Sequence, residues 1–552
     1  MKSRVSFLNV IDHKFFFWKW EMWVIFGLLL SALSLSLAWI SSGFKWIEPT
    51  TLFAWVSFFV ILLIGSFVLM IAWWSLKQEN PPLWLGFLLL GAILLRLSAG
   101  ALWFSTLPIW GHGTTAEKGG YVMADAGARD QLAWKIARSD KPLWSAFLNN
   151  RKVDQYGGFL FMSALVYRYL SMNLHLPLLI VLITSIFSSL AILFTWAFSY
   201  LAWGEKEAIV AAWVLMLYPE AILLGSSQMR EAFTVTLTMI TFYGLLRYQC
   251  DHSWQNLGWI LFPLLLCLPF SPPIAALLLG MLILLSATSR ISIRIILHRK
   301  AFWIVIVVLI FLVIIGLYFT LRQFTPEEIH NPLAMLSWWF RKSGQFQAYI
   351  SQHASGWLQK VFKTSPEWTH LPLLLGYGVV QPFLPAAIIV GSHSPIWRLI
   401  SLWRSFGWAI MLVLLIYASF LAFRKKNQGF TKMLCLIMWI VILIASFRGG
   451  GDMWDNPRYR ATAAGLQAAL VGWALVEHQR VKDPWLRRAI IAAVAIFAWF
   501  LPWYLRRYTA FYWPVVDLYK TLGLGIVTTF LLCLWDWTVT SYMHTGDREN
   551  QS

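Results

Sequence analysis

Long apolar blocks separated by short basic loops dominate the 552-residue chain. A helix needs about 20 apolar residues to cross the hydrocarbon core of a bilayer. Long blocks begin at Trp23 (WVIFGLLLSALSLSLAWI), at Phe302 (FWIVIVVLIFLVIIGLYF) and at Leu524 (LGIVTTFLLCLWDW). No ten-residue segment alternates in the way that strands of a membrane barrel do. The pattern therefore predicts an all-α, polytopic integral membrane protein.

The apolar blocks predict about fourteen transmembrane helices. They lie near residues 22–40, 52–74, 84–104, 175–201, 207–224, 232–248, 257–270, 273–289, 302–320, 405–423, 430–447, 461–477, 488–505 and 517–538.

The basic loops supply an orientation. The most basic ones are 290–300 (RISIRIILHRK), 424–432 (RKKNQGFTK) and 478–488 (HQRVKDPWLRR), and two predicted spans separate each from the next. All three therefore share one side, which the positive-inside rule makes the cytoplasm. This topology places both chain termini in the cytoplasm. The predicted location is a plasma membrane of bacterial type.

The opposite, outer side receives the polar segments 105–174 and 321–404, plus 447–460. Their apolar stretches from Tyr156 and from Leu371 are short or interrupted by Gly and Pro, which predicts juxtamembrane or re-entrant helices. Four regions follow from this reading. They are an N-terminal tail with two extra spans (1–83), a transmembrane core with the first outer loop (84–320), a second outer loop (321–404) and C-terminal spans (405–552).

Composition supports the membrane assignment and excludes several other classes. Apolar residues make up 59% of the chain and charged residues 12%, against about 25% charged in soluble domains. The net charge of +19 comes from Lys and Arg between spans, where membrane lipid explains them, so nucleic acid is not an expected partner. The four cysteines form no CxxC pair, and neither a disulfide framework nor a zinc site is indicated.

Acidic residues on the predicted outer side are the candidates for chemistry. Asp125 and Asp130 lie in the first outer loop, and Glu231 follows at an outer hairpin. Each has an ordinary explanation. Asp125 can pair with Arg129 four residues later on a helix surface, and Glu231 can complement the dipole at a helix N-terminus.

The order of these segments resembles the GT-C superfamily of membrane glycosyltransferases, which includes the protein O-mannosyltransferases and the lipid A aminoarabinose transferase. The similar segments are ADAGARDQLAWKIARSDKPLW, RKVDQYGGFLFMSALVYRYL, LYPEAILLGSSQMREAFTVTLTMITFYGLLRY, LLLGYGVVQPFLP and DNPRYRATAAGLQAAL. Gly157-Gly158 stands where a Pro-Pro pair is common in the family.

The resemblance implies transfer of a sugar from a polyprenyl-phosphate donor to a glycan, lipid or protein acceptor on the outer side. Asp125 is then the expected general base, with Asp130 as its alternative and Glu231 as a second catalytic acid. Some members of the superfamily depend on a metal, and Asp125 with Glu231 could hold Mg²⁺ or Mn²⁺. The expected substrate-binding residues are Arg151, Lys152, Asp154, Tyr156, Arg458, Tyr459 and Arg460.

Three other functions stay open at this point. The chain could be an O-antigen polymerase or ligase, because those proteins also carry many spans and a large outer loop with Arg and His. It could be a transporter or flippase of a lipid-linked glycan, although its predicted spans are nearly free of charge at their centres. A non-enzymatic assembly scaffold would tolerate the loss of Asp125 and Glu231.

Overall fold

The computed structural model describes residues 20–44, 49–148, 153–288, 300–339, 341–342, 356–426, 428–450 and 455–549. Within these ranges the regular structure is helical and contains no strand, which confirms the all-α prediction. Eight of the described helices are long and apolar enough to cross a membrane, or nine if one bent pair counts as a single span. Several long apolar helices indicate a membrane-embedded protein, while the number of fourteen spans stays a prediction.

The described residues of the first half of the chain form twelve α-helices. They are α1 Trp20–Ser41, α2 Pro49–Ser75, α3 Leu83–Trp110, α4 Thr115–Lys118, α5 Ala124–Ala137, α6 Gly158–Tyr169, α7 Pro177–Ala202, α8 Glu205–Leu217, α9 Pro219–Gly225, α10 Glu231–Cys250, α11 Trp254–Phe270 and α12 Pro272–Thr288.

The second half continues the series, with a further unlabelled helical stretch at 332–339. Its helices are α13 Lys300–Phe324, α14 Gly356–Thr364, α15 Glu367–Val380, α16 Leu384–Ile389, α17 Pro395–Arg424, α18 Gly429–Gly449, α19 Asp455–Arg460, α20 Ala464–Val481, α21 Trp485–Tyr508 and α22 Leu518–Glu549.

Helix α7 is the centre of the bundle and is buried along most of its length. It packs against α2, α3, α8, α10 and α20. Small hydroxyl residues permit this close approach because they leave room for neighbouring backbones and bond to backbone carbonyls. Ser185 Oγ, for example, donates to the Gly225 carbonyl at 3.2 Å.

The predicted span at 207–224 is broken in the middle. Helices α8 and α9 meet at Tyr218 with a bend of 58°. Pro219 is the cause: it has no N–H for the helical ladder, and it disfavours helical geometry at the residue before it. Tyr218 accordingly has φ −66° and ψ 118°. The break directs Glu220 into the protein, where it accepts a hydrogen bond from Arg404 Nε at 2.7 Å.

The two ends of the bundle differ. Helix α3 ends, and α7, α10 and α17 begin, at the end covered by the segment 111–176 with its short helices α4, α5 and α6. The apolar stretch from Tyr156 is the 12-residue α6, too short to cross a bilayer. Ion pairs such as Arg247–Glu79 (2.8 Å) and Arg480–Glu207 (2.7 Å) lie at the opposite end.

Candidate functional site

Helix α5 presents its two acidic residues in different directions. A helix turns by about 100° per residue, so Asp125 and Asp130 lie about 140° apart around the axis. The side chain of Asp125 is 36% exposed and that of Asp130 is fully buried. Asp125 also lies in the first turn, where a negative charge complements the helix dipole.

Arg458 connects Asp125 with Glu231. Its Nη2 lies 2.9 Å from Asp125 Oδ2, and its Nε donates to Glu231 Oε1 at 2.6 Å. The Glu231 side chain is only 4% exposed, and its second oxygen, Oε2, has no hydrogen-bond partner among the described residues. The two predicted acids thus meet on one guanidinium, with Asp125 on the exposed side and Glu231 on the buried side.

A second layer of charges supports this contact. Arg129 lies 3.4 Å from Asp125 and 3.7 Å from Asp154. Asp154 is buried and accepts hydrogen bonds from the backbone N–H groups of Tyr156 and Leu160. These bonds fix the loop that precedes α6.

Arg230 is held more loosely than the other arginines of this network. Its guanidinium lies 3.9 Å from both Asp154 and Glu231, which is beyond hydrogen-bond distance. It also lies over the ring of Tyr156 at 4.6 Å from the centroid, a cation–π arrangement. Its N–H groups therefore remain well placed for an additional acceptor.

The network faces a cavity of about 790 Å³, a volume within the usual range for small-molecule sites. Its wall carries six charged residues: Glu117, Asp125, Arg129, Arg230, Arg448 and Arg458. Four of these are arginines and two are acids, so the wall carries net positive charge. The cavity suits an anionic ligand, with Asp125 as the carboxylate exposed beside it.

The arginines offset the effect of burial on the pKa of Asp125. Burial raises the pKa of this carboxyl, but Arg458 and Arg129 oppose the effect and the pKa lies below its ordinary value. For Arg458, burial lowers the pKa of the guanidinium, while Glu231 and Asp125 raise it above its ordinary value overall. Both groups are charged at neutral pH.

The other side of the cavity carries rings and a carboxylate. The rings of His112 and Trp397 are nearly parallel, with centroids 6.2 Å apart. Glu117 accepts from Trp397 Nε1 at 2.5 Å and from the Thr114 backbone N–H at 2.9 Å. These bonds connect α4 to the start of α17 and hold the wall in place.

Asp130 does not reach the cavity. Its carboxylate accepts hydrogen bonds from the Tyr121 hydroxyl at 2.5 Å and from the Tyr167 hydroxyl, and it lies 2.6 Å from His175 Nε2. It binds α5 to α6 and to the segment before α7. The expectation that Asp130 could serve as the base therefore finds no support in this geometry.

The remaining predicted residues fall into three groups. Tyr459 lines the cavity, and Tyr156 lies under Arg230 just behind the wall. Arg460 is fully buried, with its guanidinium 3.3 Å from the centroid of Trp408 and a hydrogen bond to the Gln381 carbonyl. It does not line the cavity and holds the core together. Arg151 and Lys152 lie outside the described residues.

The expected metal site does not match this donor set well. Among the described residues, no group of three or more His, Cys, Asp or Glu side chains could hold a metal ion. Arg458 lies between Asp125 and Glu231 and forms an ion pair with each of them. A divalent cation there would meet the repulsion of Arg458, Arg129 and Arg230.

Sequence reasoning missed several residues of the cavity wall, above all Arg448, His112 and Trp397. Arg448 lies in the last turn of α18, and a basic residue at the end of a predicted span gives no indication of a site. His112 and Trp397 are 285 positions apart in the chain, and they meet only because α3 and α17 lie together at this end of the bundle. No local motif could have indicated that contact.

Neither a scan against protein-family models nor a search of curated proteins gave a match. The superfamily resemblance therefore stays a hypothesis based on the order of sequence features. Function has to be argued from the chemistry of the site.

Proposed function

We propose that the protein is a membrane glycosyltransferase of GT-C type, which moves a sugar from a polyprenyl-phosphate donor to an acceptor hydroxyl or amine. The observation that carries the proposal is the contact of Asp125 with Arg458 on a cavity wall that also holds Arg230 and Arg448. A carboxylate beside several guanidinium groups can supply the two functions that this reaction needs. One group takes a proton, and the others meet the charge of a leaving phosphate.

The reaction would proceed as follows for an acceptor hydroxyl. The hydroxyl oxygen forms a bond to the anomeric carbon of the sugar, and its proton passes to the Asp125 carboxylate. The bond between the anomeric carbon and the phosphate oxygen breaks, and its electron pair leaves with the lipid phosphate. A positioned base contributes about 10²–10⁴-fold to such a step. Arg458 and Arg230 stabilise the developing charge on the phosphate.

The proposal includes the fourteen-span topology, with both termini in the cytoplasm and the cavity on the outer side of a bacterial plasma membrane. Two of the basic loops, 424–432 and 478–488, support it. Lys425 pairs with Glu477, and Arg480 with Glu207, at the end of the bundle opposite the cavity. The positive-inside rule assigns that end to the cytoplasm.

The arginines take the role that a divalent cation would have in a metal-dependent member of the superfamily. Mg²⁺ or Mn²⁺ held by Asp125 and Glu231 is the alternative. Transfer that persists in EDTA supports the arginine-based proposal, whereas transfer that requires Mg²⁺ or Mn²⁺ supports the metal.

A flippase needs a charged path through the membrane rather than a site at one end. The candidate spans do contain Arg96 and Arg404, which the sequence reading passed over. Both are buried, neither lines the cavity, and Arg404 is paired with Glu220. This arrangement favours the enzyme over the transporter.

The test uses the purified full-length protein in lipid nanodiscs with a panel of polyprenyl-phosphate hexoses. The readout is release of polyprenyl phosphate, which does not require the acceptor to be known because water can replace it. Release by the wild type and its loss in Asp125→Asn support the proposal. Movement of the intact donor across liposome membranes, without release of phosphate, would support the flippase instead.

A further inference from the structure

We propose that a phosphate-bearing ligand binds in the cavity by replacing Asp125 on the Arg458 guanidinium, and that this exchange releases the Asp125 carboxylate to act as a base. The inference rests on the proposed function for the role of Asp125 as base. The exchange itself is a binding event that can be measured without any transfer reaction.

The ion pairs of Arg458 with Glu231 and with Asp125 differ in length and in exposure. The bond from Nε to Glu231 is the shorter, at 2.6 Å, and it joins side chains that are 11% and 4% exposed. The contact from Nη2 to Asp125 is 2.9 Å and reaches a side chain that is 36% exposed. Glu231 therefore holds the guanidinium on its buried side. The Asp125 contact lies on the more exposed side, where a ligand can approach.

An incoming phosphate can take the place of Asp125 without breaking the bond from Arg458 to Glu231. Arg458 and Asp125 both line the cavity, whereas Glu231 does not. A guanidinium offers five N–H donors in a planar fork, which matches phosphate oxygens. A phosphate oxygen can therefore take the place of the carboxylate at Nη2 while Nε keeps its bond to Glu231.

Arg230 provides a second donor for the same ligand. It lines the cavity, and its ion pairs to Asp154 and Glu231 are both 3.9 Å long. Its guanidinium lies over the ring of Tyr156, 4.6 Å from the centroid, which holds it beside the cavity. Two positioned guanidinium groups can thus hold one phosphate while Asp125 stays beside it.

The exchange changes the basicity of Asp125. Arg458 holds the pKa of this carboxyl down, and a carboxylate with a low pKa is a weak base. A bound phosphate removes the Arg458 contact and brings a new negative charge close to Asp125, and both effects raise the pKa. Arg129, at 3.4 Å, keeps the carboxylate oriented. The base is strengthened only when the donor is present.

The experiment measures binding of decyl phosphate, a single-chain lipid phosphate, to the full-length protein in detergent micelles by titration calorimetry. The variants are Asp125→Asn and Glu117→Gln. Glu117 also lines the cavity and carries the same charge, but Thr114 and Trp397 hold its carboxylate. Comparison of these two variants distinguishes the loss of competition for Arg458 from a general loss of negative charge in the cavity.

Exchange predicts that Asp125→Asn tightens decyl phosphate binding about tenfold, or about 1.4 kcal/mol, while Glu117→Gln changes it less than twofold. Equal effects of the two variants, weaker binding by Asp125→Asn, or no binding to the wild type would overturn the proposal. Asp125→Ala should repeat the tightening, and thermal melts verify that each variant is folded. Tighter binding without any sugar transfer by the wild type would refute the glycosyltransferase function and leave the exchange itself standing.

Discussion

Arg458 and Glu231 lie 227 residues apart in the sequence, and their side chains meet at 2.6 Å. This contact joins α19 to the first residue of α10, and the second contact of Arg458 adds the start of α5. Three distant segments thereby place one exposed carboxylate, Asp125, at a fixed position on the cavity wall.

Replacing Asp125 with Asn removes the proposed base and leaves its shape unchanged. We expect transfer to fall by about 10²–10⁴-fold. The side chain is 36% exposed, so folding should be retained. The measurement is the initial rate of polyprenyl phosphate release by purified protein, with thermal melts as the check on folding. A variant that is folded and fully active would exclude Asp125 as the base.

Replacing Glu231 with Gln leaves Arg458 without its buried counter-charge. Breaking a buried ion pair by removing one partner costs about 3–5 kcal/mol, and we expect the lower part of that range because Arg458 reaches the cavity. The measurement is the thermal midpoint in detergent.

The double variant Glu231→Gln with Arg458→Gln is the control for this effect. It removes both charges and should recover part of the lost stability, while transfer stays low because the phosphate has lost its ligand. If the double variant is no more stable than Glu231→Gln alone, the two side chains do not form the pair described here.

Asp130 has a structural role that separates it from Asp125. The change Asp130→Asn weakens its contacts with Tyr121, Tyr167 and His175. A buried polar group left without its partner costs about 1–3 kcal/mol, so we expect a lower thermal midpoint. Transfer per folded molecule should stay close to that of the wild type. A folded Asp130→Asn protein without activity would make Asp130 a candidate for the base again.

The lowered pKa of Asp125 predicts how stability depends on pH. A carboxyl whose pKa is lower in the folded state than in the unfolded state contributes stability above the unfolded value, about 3.9 for Asp. That contribution is lost as the pH falls through the folded-state pKa. The thermal midpoint of the wild type should therefore fall more steeply below about pH 4 than that of Asp125→Asn. Parallel curves for the two proteins would show that Arg458 does not lower this pKa.

Local sequence patterns predicted much of the fold and a part of the site. The apolar blocks predicted α3, α7 and α10 close to their observed bounds, because burial in lipid or protein sets the length of such helices. The i, i+4 pair of Asp125 and Arg129 is also present, at 3.4 Å. Helical geometry alone could have indicated that Asp125 and Asp130 face different directions.

The rest depends on contacts between distant segments. Nothing in the sequence near Asp125 indicates that Arg458 binds it. Likewise, nothing near Arg460 indicates that this arginine packs against Trp408 in the core. The bend at Tyr218 was not predicted either, although the proline that causes it is present in the LYPE segment. Tertiary packing, rather than any local motif, decides which of two nearby arginines faces the cavity.

We propose Asp125 as the base of a sugar transfer from a lipid phosphate. The most direct measurement compares release of polyprenyl phosphate by the wild type, Asp125→Asn and Asp130→Asn in nanodiscs, all normalised to folded protein. This role predicts release by the wild type and by Asp130→Asn, and a fall of about 100-fold or more in Asp125→Asn. Equal release by all three proteins, or none by the wild type with any donor of the panel, would contradict it.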